Sequence, residues 1–263
     1  MTTGTPSPTA SRTAGRTRRV APASQRLLVT ELRLLLRDPL TLTFVFVFPV
    51  VSMLIIGGSF GTEPDAVFPV NPSHWYVASY IATVLASTGL VMVPVHIASY
   101  RERGVLRRFA AAGFPRWSFA SAQMLVGLVT VALGVVALLL VAWPVYGVPA
   151  VEDVPRAVAG VVAGAVLFLA LGTLLGSVLP SARAAQAVGL MLFVPSFLLG
   201  GGGPPTAVMS DTLAAVAEWT PLGLVTESVR QPWLGLGDGT TELLVVCGAA
   251  VVALALSARR TAL

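Results

Sequence analysis

Two stretches of this sequence, Trp75 to Ser99 and Trp117 to Val145, carry no Asp, Glu, Lys or Arg. About 20 apolar residues cross the hydrocarbon core of a bilayer as a helix, so runs of this length and kind read as membrane spans. Composition agrees. Only 11% of the 263 residues are charged and 55% are hydrophobic, whereas a soluble domain is about a quarter charged. The fold expected is an all-α polytopic membrane protein.

In chain order, residues 1–23 are rich in Thr, Ser, Pro, Gly and Arg and have little to bury, which predicts a disordered tail ahead of a membrane domain over residues 24–263. From Gln25 to Arg37, Arg26, Thr30, Arg33 and Arg37 recur at helical steps, while Leu28, Leu32, Leu35 and Leu36 take the other side. This pattern predicts a helix begun by Ser24 and ended by Asp38-Pro39, either lying in the membrane interface or serving as an ordinary juxtamembrane segment. Six transmembrane helices are expected at Leu40 to Phe60, Trp75 to Ser99, Trp117 to Val145, about Ala157 to Leu179, Ala184 to Leu199, and Leu243 to Ala258. In the fourth, Gly160, Gly164, Gly172 and Gly176 offer small-xxx-small spacing for close helix contact. The long connection from Gly200 to Glu242 is only partly polar, and predicts short helices or a re-entrant hairpin around Leu213 to Ala217 and Leu222 to Val225.

Fifteen of the seventeen arginines fall on one side of this scheme: in the tail, the Arg101 to Arg116 connection, the Pro180 to Arg183 turn and the C-terminus. Arg156 and Arg230 are left for the other. The positive-inside rule then predicts a multi-pass plasma-membrane protein with both termini cytoplasmic. The same placement accounts for the +5 net charge and the pI of 10.3, so no nucleic-acid partner is expected. Cys247, alone in an apolar run, offers neither a disulfide framework nor a metal cluster.

No lysine occurs, so the Gly-rich loop plus Lys that cradles nucleotide phosphates is not found here, and no ATPase site, catalytic residue or cofactor is expected in the sequence itself. The six runs hold no Asp, Glu, Lys or Arg, and His96 is the one group there that titrates near neutral pH, which gives ion-driven transport little footing. Gly57-Gly58-Ser59-Phe60-Gly61 with His74 is poor material for intramembrane hydrolysis, and two distant histidines make no metal site. Neutral polar residues do lie in the runs: Ser52, Thr83, Ser87, Thr88, Gln123, Thr130 and Gln186. They either line a pathway that hydrogen-bonds an amphipathic substrate or tie one helix to another.

Between the second and third runs lies an arginine-rich island, RERGVLRRFAAAGFP, from Arg101 to Pro115. On a helix, Val105, Leu106 and Phe109 share one face while Arg103, Arg107 and Arg108 cluster elsewhere. Such a helix either plugs a groove in a soluble partner or anchors topology at lipid headgroups.

Arg101-Glu102-Arg103-Gly104-Val105-Leu106-Arg107-Arg108-Phe109 resembles the cytoplasmic coupling segment of the type-2 ATP-binding-cassette (ABC) permeases, the exporter branch that includes the daunorubicin-type drug-resistance permeases. ELRLLLRDP, from Glu31 to Pro39, resembles that family's N-terminal interfacial helix, whose candidate polar positions are Glu31, Arg33 and Arg37 together with Arg26 from the periodicity above. Gly189 to Gly203, with Pro195, is similar to the fifth-span region, and Trp219-Thr220-Pro221-Leu222 with Arg230 resembles the Asn-Pro-Leu segment before the last span. The sequence departs from the pattern at Ala112-Gly113, where Thr-Pro is frequent, at Thr220 in place of Asn, and at Gly200 to Gly203 in place of a Ser-Gly step. The resemblance implies a permease subunit, not itself an enzyme, paired with a second permease chain as a homo- or heterodimer. Two copies of a separate ABC ATPase subunit, carrying ATP and Mg, would dock on the island and drive a drug, lipid or lipid-linked glycan outward. The alternatives are a membrane accessory protein that recruits a cytoplasmic partner, and an ion-independent facilitator.

Overall fold

Prolines and short polar side chains decide where the helices begin. A computed structural model of the chain describes residues 38–105, 111 and 116–262; the tail and the predicted interfacial helix, with Arg26, Glu31, Arg33 and Arg37, lie outside the described residues. Asp38 caps α1 (39–57), accepting from the Thr41 backbone at 3.4 Å and from its hydroxyl at 2.7 Å. Asn71 caps α2 (Pro72–Glu102) through Ser73 N, Asp153 caps α4 (Val154–Val178) through Arg156 N, and Ser181 caps α5 (Ala182–Leu199) through Ala184 N. Each cap takes up a backbone N–H that the first turn leaves unpaired, and a proline in the first two positions of α1, α2 and α4 removes another such donor. α3 (Arg116–Tyr146), α6 (Asp211–Trp219), α7 (Pro221–Leu234) and α8 (Thr240–Ala262) complete the described helices.

Five of these, α2, α3, α4, α5 and α8, are long and apolar enough to cross a membrane, and α1 holds a shorter apolar helix, Thr43–Gly57. Five of the six expected spans are present as helices of crossing length, a few residues longer than most of the charge-free windows because polar caps and terminal arginines are built into the helix ends, and the expected first span is met by the shorter apolar helix in α1. The elements described are all helical, and the molecule is an all-α polytopic membrane protein.

α2 is the centre of the bundle. Its most apolar stretch is 89% buried, against 33% for α3 and 22% for α5 and α8. A helix sheathed by other helices tolerates Ser, Thr and Tyr because protein groups can satisfy them, whereas one that meets acyl chains does not. Polar residues therefore collect in α2, and α3 turns Leu125, Leu128, Leu133, Val136 and Leu140 outward.

Two π-turns interrupt the helices, Thr43–Val47 in α1 and Thr88–Met92 in α2, and they pack against each other. Each is followed, two residues on, by a proline: Pro49 and Pro94. A proline inside a helix has no N–H to donate and its ring crowds the preceding turn, so a locally widened turn gives it room. Glycines then pack against the widened backbone. A Cβ on Gly172 of α4 would collide with the Gly89 carbonyl, one on Gly189 of α5 with the Leu90 carbonyl, and one on Gly89 with the Phe168 backbone. The four glycines of α4 serve two partners: Gly172 and Gly176 admit α2, Gly160 admits Ser228 of α7, and Gly164 admits Val225 of α7 with Leu85 of α2 beside it.

α6 and α7 form a helical hairpin. α7 has 14 residues, about 21 Å of helix, too short to cross the core. Leu222, Val225, Val229 and Trp233 join the main hydrophobic cluster, and Val225 reaches Gly164, well inside α4. Thr220, at the hairpin turn, accepts from Gly223 N at 3.0 Å and so caps α7 where the related pattern has Asn. The predicted short helices are thus present, longer than their apolar cores.

Candidate functional site

The backbone sets the geometry at the arginine-rich end. Arg103 N donates to Ser99 O, Gly104 N donates to Arg101 O, and Gly104 takes φ +68°, a left-handed stop in which any side chain is strained. The helix therefore ends just as the island begins, and Arg101 and Glu102, in its last turn, meet the short connection between α4 and α5. Arg101 Nη1 donates to Gly176 O at 3.2 Å and to Leu179 O at 3.1 Å, and Glu102 Oε2 accepts from Ala182 N at 3.2 Å. The cation sits on carbonyls at the C-terminal end of α4 and the carboxylate on the first N–H of α5. Each is the sign of charge that a helix end of that polarity favours. Arg103 is exposed and Val105 half-buried; Leu106, Arg107, Arg108 and Phe109 lie outside the described residues.

At the same end, His96 Nε2 of α2 lies 3.5 Å from Asp38 Oδ2 at the start of α1. The hydrogen bond from His96, helped by Thr41, holds the Asp38 carboxyl well below the usual carboxylate range against the opposing effect of burial.

Within the bundle, Thr83, Ser87, Thr88, Gln123 and Thr130 are buried. Ser87 and Thr88 both donate to Val84 O, at 3.1 and 2.8 Å, and Thr130 donates to Val126 O at 2.8 Å. Bonding back to the helix's own carbonyls satisfies a hydroxyl in apolar surroundings. Thr83 Oγ1 and Gln123 Oε1 have no partner among the described residues. Ser52 on α1 and Gln186 on α5 are half-buried, and Ser52 lies within hydrogen-bonding reach of Tyr80. Thr83, Ser87 and Thr88 thus share α2, while Ser52, Gln123 and Gln186 lie on three other helices.

The opposite end is organised by Gly200 to Gly203. Thr226 donates to Gly200 O at 2.6 Å, Tyr80 to Gly202 O at 3.0 Å, and Tyr76 to Gly203 O at 3.1 Å. Gly201 has φ +115°, and a Cβ on Gly202 or Gly203 would collide with the Phe197 ring or the Leu198 carbonyl. This ribbon separates two cavities. One, of about 390 Å³, is lined by Trp75, Trp219, Glu218, Glu227, Arg230 and Glu242, among others. The other, of about 450 Å³, is mainly apolar, with Ile56, Phe60, Phe68, Leu198 and Val208 in its wall.

Arg230 is only 5% exposed. Its guanidinium lies 3.6 Å from the centre of the Trp75 ring, donates to Ser79 Oγ at 3.1 Å and pairs with Glu227 one turn earlier in α7; its Nε has no partner among the described residues. A cation enters such an interior only with neutralising and stacking partners. Counting charges by side treats Arg230 as a loop residue; the available signal of burial was Glu227 and Arg230 at helical spacing among apolar residues. Ser59 and His74 have separate engagements, the hydroxyl donating to Ile55 O and the imidazole Nε2 lying 3.2 Å from Tyr146 O.

Compared with known proteins, the sequence matches the family model described as ABC-2 type transporter over residues 23–233, most of its length. No curated protein matches it.

Proposed function

Because the chain belongs to the ABC-2 type transporter family, the membrane-embedded permease component of ABC transporters, we propose that it is the permease subunit of an ATP-driven exporter. Its energy comes from ATP hydrolysed by a separate ATPase subunit, two copies of which dock beneath two permease chains. The complex sits in the plasma membrane with both termini cytoplasmic, and the island from Arg103 onward is the docking element. One observation carries this reading: α2 stops at a left-handed glycine and hands the chain to the arginine-rich island beside the α4–α5 turn, on the side where fifteen of seventeen arginines fall. The substrate is amphipathic, moved outward, and a drug, lipid or lipid-linked glycan fits. A mixed cavity with charged side chains in its wall and a mainly apolar one, both bordering the glycine ribbon, suit a molecule with a charged head and an apolar body.

The test is the double substitution Arg107→Glu with Arg108→Glu. It is expected to abolish co-purification of the ATPase subunit and the stimulation of its ATP hydrolysis, while membrane insertion of the permease is retained. Association at the wild-type level would remove the docking role.

A further inference from the structure

We propose that Arg101 and Glu102 are positioning residues that clamp the α4–α5 turn to the foot of α2, so that whatever displaces the island displaces α4 and α5 with it; this rests on the permease reading above. Their charged atoms bond to backbone groups of their own chain: Arg101 to Gly176 O and Leu179 O, Glu102 to Ala182 N. Being adjacent in a helical turn, the two side chains diverge, and one reaches the end of α4 while the other reaches the start of α5. Only Leu179, Pro180 and Ser181 separate those helices, and Ser181 is itself fixed as the cap of α5, so the turn has little slack. Immediately beyond the clamp, Gly104 redirects the chain into the island. Above it, Gly176 packs against Pro94 and Ile97, and Gly172 against Gly89, so α4 lies backbone to backbone on α2 for the next turns. Arg103 is exposed, as Arg101 and Glu102 are, but its side chain makes no such bond to a helix end among the described residues. The geometry divides the labour between neighbours: the island from Arg103 onward receives the ATPase, and Arg101 and Glu102 pass its movement to a second pair of helices.

The experiment uses the full chain co-purified with its ATPase subunit in nanodiscs, in a Cys247→Ser background carrying Thr206→Cys beside the glycine ribbon as a reporter. Maleimide labelling of the reporter is timed without nucleotide and with ATP plus vanadate. Arg101→Ala and Glu102→Ala are expected to retain the ATPase subunit, its ATP hydrolysis and the nucleotide-free labelling rate. The nucleotide-dependent change in labelling should fall by roughly two- to thirty-fold. Glu102→Gln, which keeps an acceptor oxygen for Ala182 N, should restore that change. The clamp is overturned by an undiminished nucleotide response in Glu102→Ala, by loss of the ATPase subunit from that variant, or by a reporter that ignores nucleotide in the otherwise wild-type complex. Failure of the wild-type chain to hold any ATPase subunit overturns the permease reading instead.

Discussion

Arg230 shows what a buried cation requires. Glu227, Ser79 and the face of Trp75 together offset its desolvation, so removing the arginine takes the charge partner from a half-buried Glu227 and leaves a gap against Trp75 and Ser79. Arg230→Ala is expected to lower stability by about 3 kcal/mol, measured as thermal unfolding of the purified chain. Arg230→Lys should lose less, since it keeps the charge but gives up the flat stack. Replacing both members, Arg230→Met with Glu227→Gln, should recover most of the loss. Asp38 gives the corresponding pH dependence. Its folded-state pKa is depressed, chiefly by His96, so the stabilisation is present above the ordinary carboxylate value of 3.8 and fades as pH falls through the folded one. Asp38→Asn keeps a capping acceptor without the charge. It should be less stable at neutral pH by about 1 kcal/mol and should lose less than the wild type on acidification below about pH 4, as read from melts across a pH series.

Among the elements, α4 shows how much of the packing was legible in the sequence. The spacing of Gly160, Gly164, Gly172 and Gly176 announced close contact, because small side chains at that interval let backbones approach. It did not announce that the first pair chiefly meets α7 and the second α2, since which helix lies on which face depends on the tertiary arrangement. The spans were legible from length and absence of charge, and their true ends from Asn71, Asp153 and Ser181 once read as caps. The π-turns were not foreseen, although Pro49 and Pro94 mark them, because sequence periodicity does not register a single widened turn. Burial of Arg230 was missed for a related reason: a charge in a connection reads as solvated until a neighbouring element covers it. Gly172→Ala is expected to destabilise the fold by about 1–3 kcal/mol, because its Cβ collides with a carbonyl rather than a flexible side chain. Gly248→Ala on α8 meets nothing within 4 Å and should be neutral or slightly stabilising, which makes it the matched control in the same unfolding assay.

For the whole molecule, the testable quantity is sidedness. Arginine counting puts the island inside and the glycine ribbon outside. An impermeant thiol reagent added to intact cells should therefore label Thr206→Cys in a Cys247→Ser background, and should reach Arg103→Cys only after permeabilisation. The reverse pattern would invert the topology and remove the basis for docking an ATPase at the island. Between those two points α2, α4 and α5 interlock at Gly89, Gly172 and Gly189, and Tyr76 and Tyr80 hold the ribbon that continues from α5. Backbone seated on backbone leaves no side chain between these helices to repack, so any change in their spacing there must come through the widened turn at Thr88–Met92 or through movement of the helices together.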